Sequence, residues 1–243
     1  MKRTLAAVFF AALFATGAFA SGSWDDGARR IVGSGIVRSE GRNVAPFTGI
    51  ELESSGEVTV TQGLVQSVTV ETDDNVLPAI RTEVVGGVLH LGTRNGTSLV
   101  RVTRLSYRIT APSIEALTLS GSGDIRSEGA LRARTFSLRI GGSGNIDASV
   151  NADTVHTVID GSGSITVDGQ AGTLSVSIDG SGSLRARDLR AVSADVEVNG
   201  SGGADITASS TVGISINGSG DVTYGGGARA TVRSSGSGTA RQR

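Results

Sequence analysis

The chain has 243 residues, a formal net charge of −1 and 38% hydrophobic residues. The nearly balanced charge argues against a nucleic-acid-binding surface, for which a basic face is typical. The chain has no cysteine, which excludes disulfide bonds and thiol chemistry, and it combines 36 glycines with only 4% aromatic residues. This composition favours a thin core filled by Val, Ile and Leu over a compact globule.

The N-terminal residues 1–20 are predicted to be a secretory signal peptide. Two basic residues precede an apolar run from Leu5 to Phe14, and small residues mark a cleavage site between Ala20 and Ser21. The apolar run is too short to span a membrane. We therefore expect export to the periplasm, the cell surface or the medium, and no transmembrane segment in the mature chain.

Two less regular stretches follow. Residues 21–42 are rich in Gly, Ser and charge, and they predict a flexible lead-in. Residues 43–116 alternate between apolar and polar without a fixed period, so we expect irregular, strand-rich coils that cap a regular array. Within them, Glu83–Leu91 predicts a β-hairpin with a Gly86-Gly87 turn, and Asp73-Asp74 predicts a solvated loop pair.

A unit of about 19 residues repeats over residues 117–240. Each unit has an alternating aliphatic run, a Gly-Ser-Gly turn and a second apolar step. The last glycines of successive turns are separated by 21, 19, 19, 20, 18 and 18 residues, and a fixed period near 20 indicates a stacked array. These glycines, which we expect to be structural, are Gly123, Gly144, Gly163, Gly182, Gly202, Gly220 and Gly238.

Aliphatic residues form columns at fixed offsets from these glycines. One column lies two residues after the glycine, as at Ile125, Ile146 and Ile165; others lie four, six and eight residues before it, the last beginning with Glu115 and Phe136. Steps of two mark the inward faces of β-strands, and no helical period is present. One rung buries too few side chains to offset its own ordering entropy, so rungs must stack. The sequence predicts an all-β parallel β-helix.

The order of these features resembles the bacterial DUF2807 family, the head domain of autotransporter adhesins. Matching features are a Gly-x-Gly lead-in, Arg42-x-x-x-x-Phe47-x-x-Ile50, Ile109-x-x-Pro112 and the tail of Gly-Ser-Gly turns, over roughly residues 32–240. The resemblance implies a right-handed, single-stranded parallel β-helix that forms one domain over residues 43–240, outside the cytoplasm.

The candidate metal ligands do not combine into a site. Asp124 and Asp221 follow Gly-Ser-Gly turns and resemble a calcium-binding repeat. They are five rungs apart, which is too far to share one ion. His90 and His156 are expected to point outward in different halves of the chain. We therefore predict no metal site and no cofactor.

Catalytic residues are not predicted either. Cleavage of a polysaccharide needs paired carboxylates at close range. Asp160 and Asp179 align in neighbouring rungs, but their position at the turn explains them through bonds to the local backbone. Outward arginines such as Arg132 and Arg185 could meet anionic glycans, although nearby acidic residues favour a mixed, solvated surface.

The leading hypothesis is a secreted or periplasmic, non-enzymatic, adhesin-like binding module of the bacterial envelope. Its partners would be envelope glycans or surface proteins, and the sequence assigns no ligand-binding residue. Two alternatives stay open: a carbohydrate-active lyase or hydrolase, and a structural protein that forms homo-oligomers through its open end. Clustered carboxylates in a groove would favour the enzyme.

Overall fold

A computed structural model describes residues 29–243 and consists almost entirely of strands. The predicted signal peptide and its cleavage site at Ala20 and Ser21 lie outside the described residues. The elements in chain order are β1 (Arg29–Val32), β2 (Val37–Gly41), β3 (Gly49–Leu52), β4 (Glu57–Gln62), β5 (Ser67–Asp73), a 3-10 turn (Leu77–Ala79), β6 (Ile80–Val85), β7 (Val88–Thr93), β8 (Thr97–Val100), β9 (Leu105–Ala111), β10 (Ala116–Leu119), β11 (Asp124–Ile140), β12 (Asn145–Ile159), β13 (Ser164–Gly180), β14 (Ser183–Gly200), β15 (Gly203–Gly218), β16 (Asp221–Gly225), β17 (Arg229–Gly236) and β18 (Thr239–Gln242).

The strands β11 to β15 each form one rung of a coil and pair in parallel with the next rung. Ile125 is in register with Ile146, and Ile146 is in register with Ile165. The repeat therefore forms a β-solenoid of about 7 turns with ~19 residues per rung. The predicted fold class is confirmed.

The solenoid interior is a set of aliphatic columns that run along its axis. Ile140, Ile159 and Ile178 are stacked in register and fully buried. Full burial of such a side chain stabilises the fold by about 1.5–3 kcal/mol. Tyr107 is also fully buried, and burial raises its pKa to about 12.

Three positions of the predicted inward columns are exposed: Val232 and Ser234 on β17, in the last rung, and Glu115 in the first. Glu115 is exposed, and Ile114 is buried in its place. Strand β10 begins only at Ala116, so Glu115 lies outside the strand and does not follow its inward–outward alternation. A buried carboxylate without a partner would cost several kcal/mol, which favours the aliphatic residue.

The N-terminal rungs are stacked out of chain order. Strand β3 pairs with β7 on one side and with β10 on the other, and β4 likewise lies between β9 and β11. The rung built from β3 and β4 is therefore inserted between two rungs that follow it in sequence. Antiparallel strands then cover the end, with β6 on β7 and β5 on β9. The hairpin predicted at Gly86-Gly87 is confirmed, with φ of +60° and +81° at these glycines.

The segment predicted as a flexible lead-in contains β1 and β2, which pair with β8 and β5. Its Gly-Ser-Gly turn is fixed by the acidic pair at the end of β5. Asp73 accepts hydrogen bonds from the backbone N–H of Gly35 and Thr103, both at 2.7 Å, and from Thr103 Oγ1 at 2.9 Å. Asp74 accepts one from Ser34 Oγ at 2.6 Å. Asp73 is fully buried, so its assignment to a solvated pair is wrong, because these donors replace water.

The turns between rungs bring backbone against backbone. A Cβ atom on Gly144 would overlap the carbonyl oxygen of Gly123 in the rung below, and one on Gly163 would overlap that of Gly144. Glycine is required at these positions because the backbones of two successive rungs approach closely, and not because of an unusual φ angle. Gly141, in the same turn as Gly144, has no atom within 4 Å of its Cβ position.

We expect Gly144→Ala to lower the free energy of unfolding by about 1–3 kcal/mol, since the added methyl group must push two rungs apart. Gly141→Ala is the matched control from the same turn and should change it by less than about 0.5 kcal/mol. Urea unfolding followed by circular dichroism measures both. Equal effects of the two substitutions would contradict the packing argument.

We expect Thr157→Val to raise the free energy of unfolding by about 1 kcal/mol, because the Thr157 hydroxyl is buried without a hydrogen-bond partner among the described residues. It stands in a column between Leu138 and Val176. The control is Thr154→Val on the same strand, where the side chain is only half-buried. A destabilised Thr157→Val variant would show that the hydroxyl has a partner.

We expect the stabilising effect of Asp73 to depend on pH. Burial alone raises the pKa of Asp73, but the hydrogen bonds from Thr103 and Gly35 outweigh it and hold the pKa below its ordinary value of 3.8. This contribution is complete above the unfolded-state pKa and is lost as the pH falls through the folded-state value. Asp73→Asn should therefore destabilise the protein near pH 7, and the gap to wild type should narrow near pH 3. A gap that is constant with pH would contradict this.

Candidate functional site

The outward side chains of the regular rungs form polar ladders, and one of these ladders holds a groove. The last stretch of each rung before its turn forms a continuous surface with its counterparts in the other rungs. We call this surface the third face. On it, β13, β14, β15 and β17 border a depression of about 320 Å³, the third-face groove. Its outward-pointing residues are Ser175, Ser177, Asp195, Glu197, Gly213, Ser215, Thr231 and Arg233.

The groove exists because a glycine interrupts an outward column. Gly213 lies in register between Asp195 on β14 and Thr231 on β17. A Cβ atom on Gly213 would lie 2.5 Å from Asp195 Oδ1, so the Asp195 carboxylate leans over the position that a side chain would fill. A branched side chain at 213 would occupy part of the depression.

The groove presents hydrogen-bonding groups of both kinds. Glu197 lies in register between Ser177 and Ser215, and Ser215 is followed by Arg233 in the next rung. The Glu197 Oε1 atom accepts a hydrogen bond of 3.2 Å from Asn199 Nδ2. Two carboxylates, several hydroxyls and one guanidinium can therefore engage a ligand rich in hydroxyl groups.

The aspartates considered as calcium ligands bind the next rung instead. Asp124 Oδ1 accepts a hydrogen bond of 2.8 Å from Asn145 Nδ2. Asp221 Oδ1 accepts hydrogen bonds from Thr239 N at 3.2 Å and from Thr239 Oγ1 at 2.5 Å. Both carboxylates hold adjacent rungs in register.

The aspartates aligned at the turns have the same role. Asp160 pairs with Arg139 of the preceding rung. Asp179 Oδ1 accepts a hydrogen bond of 2.9 Å from Asn199 Nδ2 of the following rung. Both aspartates are therefore structural, but through side chains of neighbouring rungs and not through the predicted bonds to their local backbone.

The outward arginines lie among acidic groups. Arg185 borders a depression on the surface that follows each turn, together with Asp124, Arg126 and Asp147, and an ion pair of 3.6 Å joins the last two. The backbone N–H of Arg132 donates to Gln62 Oε1 at 2.7 Å. The surface around Arg185 is therefore mixed in charge, as the sequence predicts.

The two histidines lie in different surroundings. His156 is exposed on β12, whereas His90 on β7 is half-buried beside Glu51 on β3 and Glu53, which follows β3. The His90 Nδ1 atom is 2.8 Å from Glu53 Oε1, across 37 residues of chain. The alternation of apolar and polar residues along the strands places the side chains of His90, Glu51 and Glu53 outward. Their proximity follows from the pairing of β3 with β7, which no sequence repeat indicates.

By its fold, the protein is a β-solenoid with polar outer ladders and a surface groove. The family model described as "Putative auto-transporter adhesin, head GIN domain" (DUF2807) matches residues 46–228. The chain belongs to this family, as the sequence resemblance predicts. No curated protein is found to match the chain.

Solved structures share the fold at low sequence identity. A "putative adhesin" from Bacteroides fragilis is 20% identical with a TM-score of 0.83, and the match covers 88% of this chain and 100% of that chain. A "putative lipid binding protein" and a "putative adhesin", both from Parabacteroides distasonis, are 22% and 24% identical, each with a TM-score of 0.73 and the same coverage. Within residues 29–243, no helix has the length and apolarity needed to cross a membrane.

Proposed function

We propose that the chain is an exported, non-enzymatic binding module of the bacterial envelope, and that the third-face groove is its ligand site. The observation that carries this proposal is the groove itself, which Gly213 opens in an otherwise continuous ladder. The adhesin description of the family supports a binding role.

The ligand class that fits the groove best is a hydroxyl-rich saccharide, as in an envelope glycan. The carboxylates of Asp195 and Glu197 can each accept hydrogen bonds from two sugar hydroxyls, and Ser215 and Thr231 can donate or accept. The depression of about 320 Å³ is at the lower end of the size range of small-molecule sites. Because these residues lie on stacked strands, their backbone positions are fixed before a ligand arrives.

A carbohydrate-active enzyme is the weaker alternative. A glycosidase keeps one carboxyl protonated by placing it in an apolar environment, while the second stays ionised. The groove does contain two carboxylates, but Asp195 and Glu197 are both exposed on the same strand. Exposure of both carboxylates to solvent favours binding over cleavage.

The other sequence predictions complete the proposal. The mature chain would begin at Ser21, and residues 43–240 would form its single domain. Mass spectrometry of the exported protein identifies its first residue, and a chain that retains residues 1–20 would contradict the proposed cleavage.

Self-association through the last rung is a separate prediction, which light scattering tests. A strict monomer at high concentration would contradict it.

We expect the tag-free mature chain to bind a defined set of saccharides on a glycan array, and Asp195→Ala combined with Glu197→Ala to weaken that binding at least about tenfold. Gly213→Val should do the same by filling the groove. Ser137→Val is the control, since Ser137 occupies the same outward column on β11, outside the groove.

Three results would contradict the proposal. The first is an array without any bound saccharide, and the second is an equal loss of binding in the control. The third is the release of new reducing or unsaturated ends from a bound glycan, which would favour the enzyme.

A further inference from the structure

A second cluster of charged side chains lies away from the groove, on the outer surface of β6, β7 and β3. We call it the cap cluster, because it lies beside the antiparallel strands that cover the N-terminal end of the solenoid. Its members are Glu51 on β3, Glu53 directly after β3, Arg81 and Glu83 on β6, and His90 on β7.

The potential ligand atoms of three of these side chains lie close together. His90 Nδ1 is 2.8 Å from Glu53 Oε1 and 3.4 Å from Glu51 Oε2. One ligand atom of each residue lies within 4.8 Å of the other two. The ligands of a tetrahedral zinc ion lie about 3.4 Å apart when each bond is about 2.1 Å long, so small side-chain rotations suffice to reach this geometry.

The remaining oxygen of each carboxylate is already held by another side chain. Ser120 Oγ donates to Glu51 Oε1 at 2.6 Å, and Arg81 pairs with Glu53 Oε2. Arg81 is fixed in turn by Glu83 Oε1 at 2.5 Å. Hydrogen bonds of this kind orient metal ligands and leave the opposite oxygen free to bind.

The space for this arrangement comes from Gly92, which follows His90 by two residues on β7. Its Cβ position is 3.3 Å from Glu53 Oε2 and 3.5 Å from Arg81 Nη2, so a larger residue there would crowd their ion pair. The side chains of His90, Glu51 and Glu53 are 22%, 24% and 30% exposed, which leaves an ion access from solvent.

The charges of the cluster are not balanced. Three carboxylates and one guanidinium leave a net charge of −2 when the imidazole is neutral, and one divalent cation would cancel it. A mixed set of one imidazole and two carboxylates favours Zn²⁺ over Ca²⁺ or Mg²⁺, which prefer oxygen ligands alone.

We propose that the cap cluster is a zinc site, with His90 Nδ1, Glu51 Oε2 and Glu53 Oε1 as protein ligands and water in the fourth position. The ion joins β7 to β3, two neighbouring strands that are distant in the chain. Its effect is to stabilise the cap, and it is independent of ligand binding in the third-face groove.

The test is titration of the metal-free, tag-free mature chain with ZnCl2 by isothermal calorimetry, together with thermal unfolding. We expect one saturable site per chain and a higher melting temperature with zinc. His90→Gln should weaken zinc binding at least about tenfold and abolish the thermal shift. His156→Gln is a matched control, since it removes the other of the two histidines of the chain, and it should bind like wild type.

A second variant keeps the test decisive if His90→Gln folds poorly. Ser120→Ala leaves all three ligands in place but removes the donor to Glu51, and it should weaken binding about tenfold with an unchanged circular dichroism spectrum. The proposal is overturned if wild type lacks a saturable zinc site, if both histidine variants bind equally, or if Ca²⁺ binds the cluster more tightly than Zn²⁺.

Discussion

The structure depends on a fixed spacing between rungs, set by the backbone hydrogen bonds of parallel strands at about 4.8 Å. The spacing must be kept at the corners as well as along the strands. At the Gly-Ser-Gly corner two backbones meet, and a methyl group on Gly144 would overlap the carbonyl oxygen of Gly123. Because the corners hold the register, each inward aliphatic residue lies on its counterpart in the next rung, and each outward residue joins a ladder.

The sequence predicts the regular rungs well because they are periodic. The offsets that place Ile125, Ile146 and Ile165 in one column are visible without a structure, and the register agrees. The N-terminal end of the array could not be predicted from the repeat. The pairing of β3 with β10, the burial of Asp73 and the placement of Ile114 instead of Glu115 depend on contacts between segments that share no period. A hydrophobic pattern specifies which face a residue occupies, but it does not specify which strand lies beside it.

The two candidate sites also differ in how far the sequence predicts them. Gly213 is visible in the sequence as a gap in an outward column, but its effect depends on how Asp195 leans over it. The cap cluster is not visible at all, because His90 and Glu53 meet only through a pairing that is out of chain order. In both cases the solenoid acts as a rigid support. Its interior fixes the rungs, so the exterior can change by single residues without loss of the fold.

The insertion of the β3–β4 rung between two later rungs also constrains how the chain can fold during synthesis. A solenoid stacked in strict order could grow one rung at a time as the chain emerges. Here β3 has no neighbour until β7 has been made, and its second neighbour, β10, follows later still, so the segment that emerges early must wait unpaired. The regular rungs after β11 can stack as soon as they appear, so they are the natural nucleus, and the N-terminal end closes after it.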